Sequence, residues 1–159
     1  YAASSMSKMI SLIINPISSV LLARLSTSQN LSKEKMRELI FKFFMPIFLP
    51  SFFGSMVLTY IGVYLLYNKY LEETVPLLIP ISLSTSLAVS SFLIKPVIMT
   101  FFKTKYLVYS NIFYAVTFCL SMYFFSVWWG MTGFAWASAL GRIAQFTGYI
   151  LIVFNKIKR

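Results

Sequence analysis

The chain has 159 residues, of which 58% are hydrophobic, 18% aromatic and only 11% charged, with a mean hydropathy of +0.77. That composition cannot supply the polar surface of a water-soluble domain of this size. Lys and Arg number 14 against 4 acids, a net charge of +10; the acids are Glu34, Glu38, Glu72 and Glu73, and neither Asp nor His occurs. Ser-His-Asp triads, histidine metal sites and aspartate-pair hydrolase chemistry are thereby excluded, and the lone Cys119 excludes an intrachain disulfide or a cysteine metal cluster. No cofactor, no metal and no enzymatic activity are expected.

A bilayer core about 30 Å thick asks for roughly 20 apolar helical residues per crossing, and five stretches meet that demand. The first covers 3–23, interrupted only by Lys8. Residues 32–42 then alternate charged and apolar side chains and read either as a short amphipathic helix on the membrane surface running into the next span, or as a solvated charged loop. The second and third spans are 43–67 and 74–95. From 106 to 141 no charge occurs, too long for one ordinary crossing; Trp128-Trp129-Gly130-Met131-Thr132-Gly133 in this run reads as interfacial aromatics followed by a turn. Two further spans at 106–127 and 133–154 follow. Pro16, Pro46, Pro50, Pro76 and Pro80 fall inside or at the ends of spans and bend them.

Cations sort by connection. The first holds Arg24, Lys33, Lys35, Arg37 and Lys42, the second only Lys69, the third Lys95, Lys103 and Lys105, the fourth none, and the C-terminal tail Lys156, Lys158 and Arg159. By the positive-inside rule this places the N-terminus outside and the C-terminus in the cytoplasm. Tyr64, Tyr67 and Tyr70 at one outer edge, Trp128 and Trp129 at the other, and Tyr106 at the inner edge fit aromatic belts. Because the charge clusters at cytoplasmic span ends, insertion and anionic lipid explain it, and nucleic acid is not an expected partner.

Two cations remain inside spans, Lys8 and Arg142. Each lies on a polar stripe at helical spacing: Ser4, Lys8, Ser11, Asn15 and Ser18 in the first span, and Ser138, Arg142, Gln145 and Tyr149 in the fifth. The fourth span carries Ser110, Tyr114, Thr117 and Ser121 in the same manner. Hydroxyls alone suit helix packing as well as a polar cavity. A cation at mid-span costs about 2.5 to 3.5 kcal/mol on insertion scales and so faces a bundle interior or water; Lys8, nearer the outer end, can also snorkel. No acid lies in a predicted span to neutralise either cation. A second face of the fifth helix, Gly133, Ala137, Gly141, Ala144 and Gly148, admits a close neighbour.

Several segments resemble the C-terminal lobe of lipid-linked oligosaccharide flippases in the multidrug/oligosaccharidyl-lipid/polysaccharide exporter (MATE-like) superfamily. Val20-Leu21-Leu22-Ala23-Arg24-Leu25-Ser26 is similar to the family segment that precedes a basic cytoplasmic loop, with Ala23 in place of the usual proline. Leu65-Leu66-Tyr67-Asn68-Lys69-Tyr70 resembles the close of the following proline-bearing helix, and Trp129-Gly130-Met131-Thr132-Gly133-Phe134-Ala135-Trp136-Ala137 resembles the opening of the last one. The likeness spans nearly all of the chain.

The resemblance implies an all-α integral membrane bundle, its five transmembrane helices matching helices eight to twelve of a twelve-helix protein whose first lobe and seventh helix precede Tyr1. It implies a bacterial inner-membrane, multi-pass transporter that flips an undecaprenyl-pyrophosphate-linked glycan to the outer leaflet by alternating access, for O-antigen, capsule or other surface glycan. Its partners would be the bilayer, the lipid-linked glycan and the remaining lobe. The stripes, rather than the family, nominate the substrate contacts: Arg142 and Lys8 for the anion, and Asn15, Gln145 and Tyr149 for the polar lining. With no acid in a span, a Na⁺ or H⁺ site built on carboxylates cannot lie in these helices. A drug/cation antiporter of the same fold and a non-transporting accessory or assembly subunit are the alternatives; the antiporter would need buried acids.

Overall fold

The computed structural model describes residues 16, 19, 20, 33–101 and 104–157. Lys8 and Asn15 lie outside the described residues, as does all of the first expected span but positions 16, 19 and 20. Helix α1 is Lys33–Leu66, a 3-10 turn covers Asn68–Tyr70, α2 is Leu71–Phe101 and α3 is Lys105–Ile157, so the described chain is nearly all helix. Residues 33–42 are helical and continue without interruption into 43–66. Pro46 and Pro50 sit inside α1, and Pro76, Pro80 and Pro96 inside α2.

The helices end where the backbone has reason to end them. At Tyr67 (φ −140°, ψ 41°) the backbone leaves helical geometry, its N–H still donating to the Val63 carbonyl at 2.8 Å, and Tyr70 N–H then donates to Tyr67 O at 2.8 Å to close the turn. Glu72 and Glu73 stand exposed in the first turn of α2, where negative charge complements the helix dipole. The Thr74 hydroxyl donates to the Tyr70 carbonyl at 2.7 Å. The chain therefore doubles back, and α1 and α2 form an antiparallel pair. Their buried polar faces each repeat every four residues: Ser51, Ser55 and Thr59 on α1, and Ser82, Ser86 and Ser90 on α2. Small side chains at this spacing let two helix backbones approach where no hydrophobic effect drives them together.

Helix α3 breaks at Gly130, whose backbone is non-helical (φ 53°, ψ −127°). The break separates an arm of 105–129 from one of 131–157, near where the Trp-Trp-Gly signal suggested a turn. Each is roughly 25 residues, or about 37 Å at 1.5 Å per residue, enough for one crossing. They fold against one another as an antiparallel hairpin. Gly133 meets Phe125, Gly141 meets Tyr114 and Phe118, and Gly148 meets Ser110. The small-residue face of the fifth expected span is thus the surface on which the first arm lies.

Helix α2 is sandwiched between α1 and α3. The Ser84 hydroxyl lies 3.0 Å from that of Ser138, tying α2 to the second arm of α3. Further along both helices Leu87, Ile94 and Ile98 pack with Phe146, Tyr149 and Val153, so these two elements run parallel. Leu107 completes this core, and Phe44 and Phe48 of α1 cap it, Phe44 stacking on Phe146 at 4.7 Å between ring centroids. Helix α2 runs to Phe101 rather than ending near position 95, so Lys95 belongs to a helix and not to a connection.

Among the described residues three helices are long and apolar enough to cross a membrane: Pro46–Leu66, Asn68–Thr100 and Lys105–Phe154. Large apolar side chains cover their outer faces, among them Phe53, Val57, Leu65, Ile112, Phe113, Leu120, Val127 and Leu151. Such a surface would aggregate in water and is the natural outer face of a helix in lipid. The protein has the build of a multi-pass membrane protein.

Candidate functional site

The polar side chains of the second arm converge with one residue of the first. Arg142 Nη1 donates to Gln145 Oε1 at 2.9 Å, three residues on and so one turn along the same face. Gln145 Nε2 donates in turn to Asn111 Oδ1 at 2.7 Å, across the hairpin, and to the Tyr149 hydroxyl at 3.2 Å. The Tyr149 hydroxyl donates to the same Asn111 oxygen at 3.3 Å. Arg142, Gln145, Tyr149 and Asn111 therefore form one connected network between the two arms. Tyr149 is 0% exposed and Gln145 3%, whereas Arg142 is half-buried and Asn111 open to the surroundings.

Aromatic rings hold the cation in place. The Arg142 guanidinium lies over the Tyr114 ring, 4.6 Å from its centroid. A guanidinium on an aromatic face keeps favourable electrostatics with little water, and its planar fork leaves other N–H groups for an anion. Tyr114 stacks in turn on Phe118 at 5.9 Å. The hydrogen bond to Gln145 and the ring of Tyr114 refine the expectation of an unpartnered arginine: Arg142 is positioned by neutral groups that do not cancel its charge.

Of the residues nominated by the sequence, Arg142, Gln145 and Tyr149 are brought together, and Ser110 and Tyr114 from the fourth-span stripe border them. Lys8 and Asn15 lie outside the described residues. Two members were missed. Asn111 sits one residue off the Ser110, Tyr114, Thr117, Ser121 stripe; its amide, three residues before Tyr114 in a long uncharged run, was the available signal. Lys95 was counted with the inner loop because it is the first charge after an apolar run. In the folded chain it is half-buried in α2, its Nζ 5.0 Å from the Phe92 ring centroid.

Among the described residues no group of three or more Cys or Glu side chains is placed to hold a metal. Comparison of the chain with protein families, with curated proteins and with solved structures gives no match.

Proposed function

We propose that the chain is part of a membrane transporter that moves a lipid-linked oligosaccharide or polysaccharide unit, carried on undecaprenyl pyrophosphate, to the outer leaflet by alternating access. The observation that carries this reading is Arg142: a guanidinium held half-buried inside a membrane-length hairpin by Gln145 and Tyr114, with no carboxylate against it among the described side chains. An uncompensated cation in low dielectric is costly, and a pyrophosphate entering the bundle would supply the missing charge. Asn111, open to the surroundings and positioned by the buried Gln145 and Tyr149, offers an amide to sugar hydroxyls.

Within this reading the fold is the MATE-like lobe that the motifs resemble, with five spans, the N-terminus outside and the C-terminus in the cytoplasm of a bacterial inner membrane. The kinked and proline-bearing helices suit a bundle that rocks between two states. Lys8 and Asn15 of the first span complete the substrate contacts. In the whole protein, Arg142→Ala should abolish export of the surface glycan while leaving membrane insertion intact, and Arg142→Lys should retain part of it. Normal glycan display by an Arg142→Ala strain would overturn the assignment.

A further inference from the structure

The hydrogen bonds around Arg142 run in one direction. A guanidinium can only donate, so the Gln145 amide turns its oxygen to Arg142, at 2.9 Å, and its nitrogen away. That nitrogen donates to Asn111 Oδ1 at 2.7 Å and to the Tyr149 hydroxyl at 3.2 Å. The hydroxyl, already accepting, passes its own proton to the same Asn111 oxygen at 3.3 Å. Reversing either amide would set donor against donor, so the arginine fixes the orientation of an asparagine two hydrogen bonds away. With Asn111 Oδ1 turned inward and twice engaged, the group that Asn111 presents outward is its N–H pair.

The network is therefore open only at its donors. Gln145 and Tyr149 are buried and have given every side-chain proton they hold. Asn111 is exposed with both amide N–H groups unused, and the half-buried Arg142 has used one of its five. Tyr114 covers a face of the guanidinium, whereas its N–H groups lie in the plane. Both open residues bind the same Gln145 amide, which keeps Arg142 Nη1 within about 8 Å of Asn111 Oδ1, the length of two hydrogen bonds and an amide. A sugar hydroxyl can lend its oxygen here but finds no acceptor for its proton, and a cationic ligand meets only donors and a positive charge. A phosphoryl group esterified on both sides has acceptor oxygens, negative charge and no proton. We propose that Asn111 is a specificity-determining contact of the Arg142 site, giving its N–H groups to the unprotonated oxygens of a phosphodiester or diphosphate diester whose charge Arg142 meets. The contact deepens the transport reading and rests on it only for the molecule that carries the phosphoryl group. The same chemistry occurs in a lipid-linked diphosphate and in a phospholipid headgroup.

The test follows thermal unfolding of the whole protein in an uncharged detergent as inorganic pyrophosphate, phosphatidylglycerol or the tetraphenylphosphonium cation is titrated. An anion should stabilise and the cation should not; a response to pyrophosphate identifies a diphosphate, and one confined to phosphatidylglycerol identifies a lipid headgroup. Asn111→Ala removes the N–H groups without adding charge and should weaken the apparent affinity for the responding anion about tenfold, the loss of a charge-assisted contact. Asn111→Asp keeps an inner oxygen for Gln145 and Tyr149, so the ligand-free melting temperature should hold or rise, while an acceptor replaces the outward donor and the anion response should vanish. Wild-type protein that answers to neither anion, or equally to the cation, would overturn the contact, as would wild-type affinity in either variant. Should Asn111→Ala not fold, Asn111→Asp decides; should neither fold, the wild-type comparison of anion with cation decides. Glycan export separates the two ideas. Anion binding lost in Asn111→Asp with export intact would refute the transport reading and leave the contact standing, whereas export lost in Arg142→Ala with anion affinity unchanged in Asn111→Ala would do the reverse.

Discussion

Gly133 lies directly against the backbone of Phe125, so close that a Cβ at 133 would overlap the Phe125 carbonyl. Three residues earlier Gly130 takes a positive φ of 53°, with nothing within 4 Å of where a Cβ would stand. The two glycines act differently, one conformationally and the other by removing bulk, and together they turn α3 from one rod into a hairpin.

Alanine substitution should separate these roles. Gly130→Ala should cost about 1 to 3 kcal/mol, the strain of holding an L-residue in that backbone region. Gly133→Ala should destabilise at least as much, because the overlap is with backbone and cannot be relieved by a rotamer change. Thermal unfolding of the two variants checks this; a Gly133→Ala protein as stable as wild type would mean that the arms do not pack in this register.

The Gln145 amide is the hub of the polar network, accepting from Arg142 and donating to Asn111 and Tyr149. Gln145→Leu strips a partner from all three and should destabilise by about 1 to 3 kcal/mol, as for any buried polar group left unmatched. Tyr149→Phe removes one hydroxyl while Gln145 keeps its bond to Asn111, and should cost less, about 0.5 to 1.5 kcal/mol. An inverted order in the two melting temperatures would show that Tyr149, not Gln145, organises the site.

Hydroxyls on the helix faces divide by partner. Ser84 and Ser138 bond one another across α2 and the second arm of α3, whereas the hydroxyls of Ser55, Thr59 and Ser82 are buried without a partner. Ser84→Ala should therefore lose about 0.6 kcal/mol, the average for such bonds in membranes, with the Ser138 hydroxyl left behind. Ser55→Ala and Ser82→Ala remove an unmatched group and should be neutral or slightly stabilising. Unfolding free energies in mixed micelles would distinguish the sets, and clear losses at Ser55 or Ser82 would contradict the account of that seam.

Helix content, helices of membrane-crossing length and the break near Gly130 were legible because lipid imposes simple demands on length and apolarity. The stripe of Arg142, Gln145 and Tyr149 was legible because three- and four-residue spacing puts these side chains on one face whatever the tertiary context. Asn111 escaped because its role depends on how the two arms face one another, which period alone does not specify. Lys95 escaped for another reason: counting charges assigns a lysine at the end of an apolar run to a loop, yet α2 continues to Phe101 and keeps it within the helix. The serine faces of α1 and α2 went unremarked, since neither includes a charge to draw attention to them.

The two turns rich in aromatics occupy the same end of the bundle. Tyr64, Tyr67 and Tyr70 surround the α1–α2 connection and Trp128 and Trp129 precede Gly130, all exposed, and the parallel run of α2 and the second arm brings both turns to that end. Lys105 begins the first arm at the other end, where Lys33 also begins α1. If cation content sets the orientation, the aromatic end is outside. Cys119 is exposed and must first be replaced, as Cys119→Ser, to give a silent background. In that background Lys69→Cys should react with a membrane-impermeant maleimide in intact cells, and Lys35→Cys should react only after permeabilisation. Labelling in the reverse sense would invert the topology and place the basic loops outside, against the positive-inside rule.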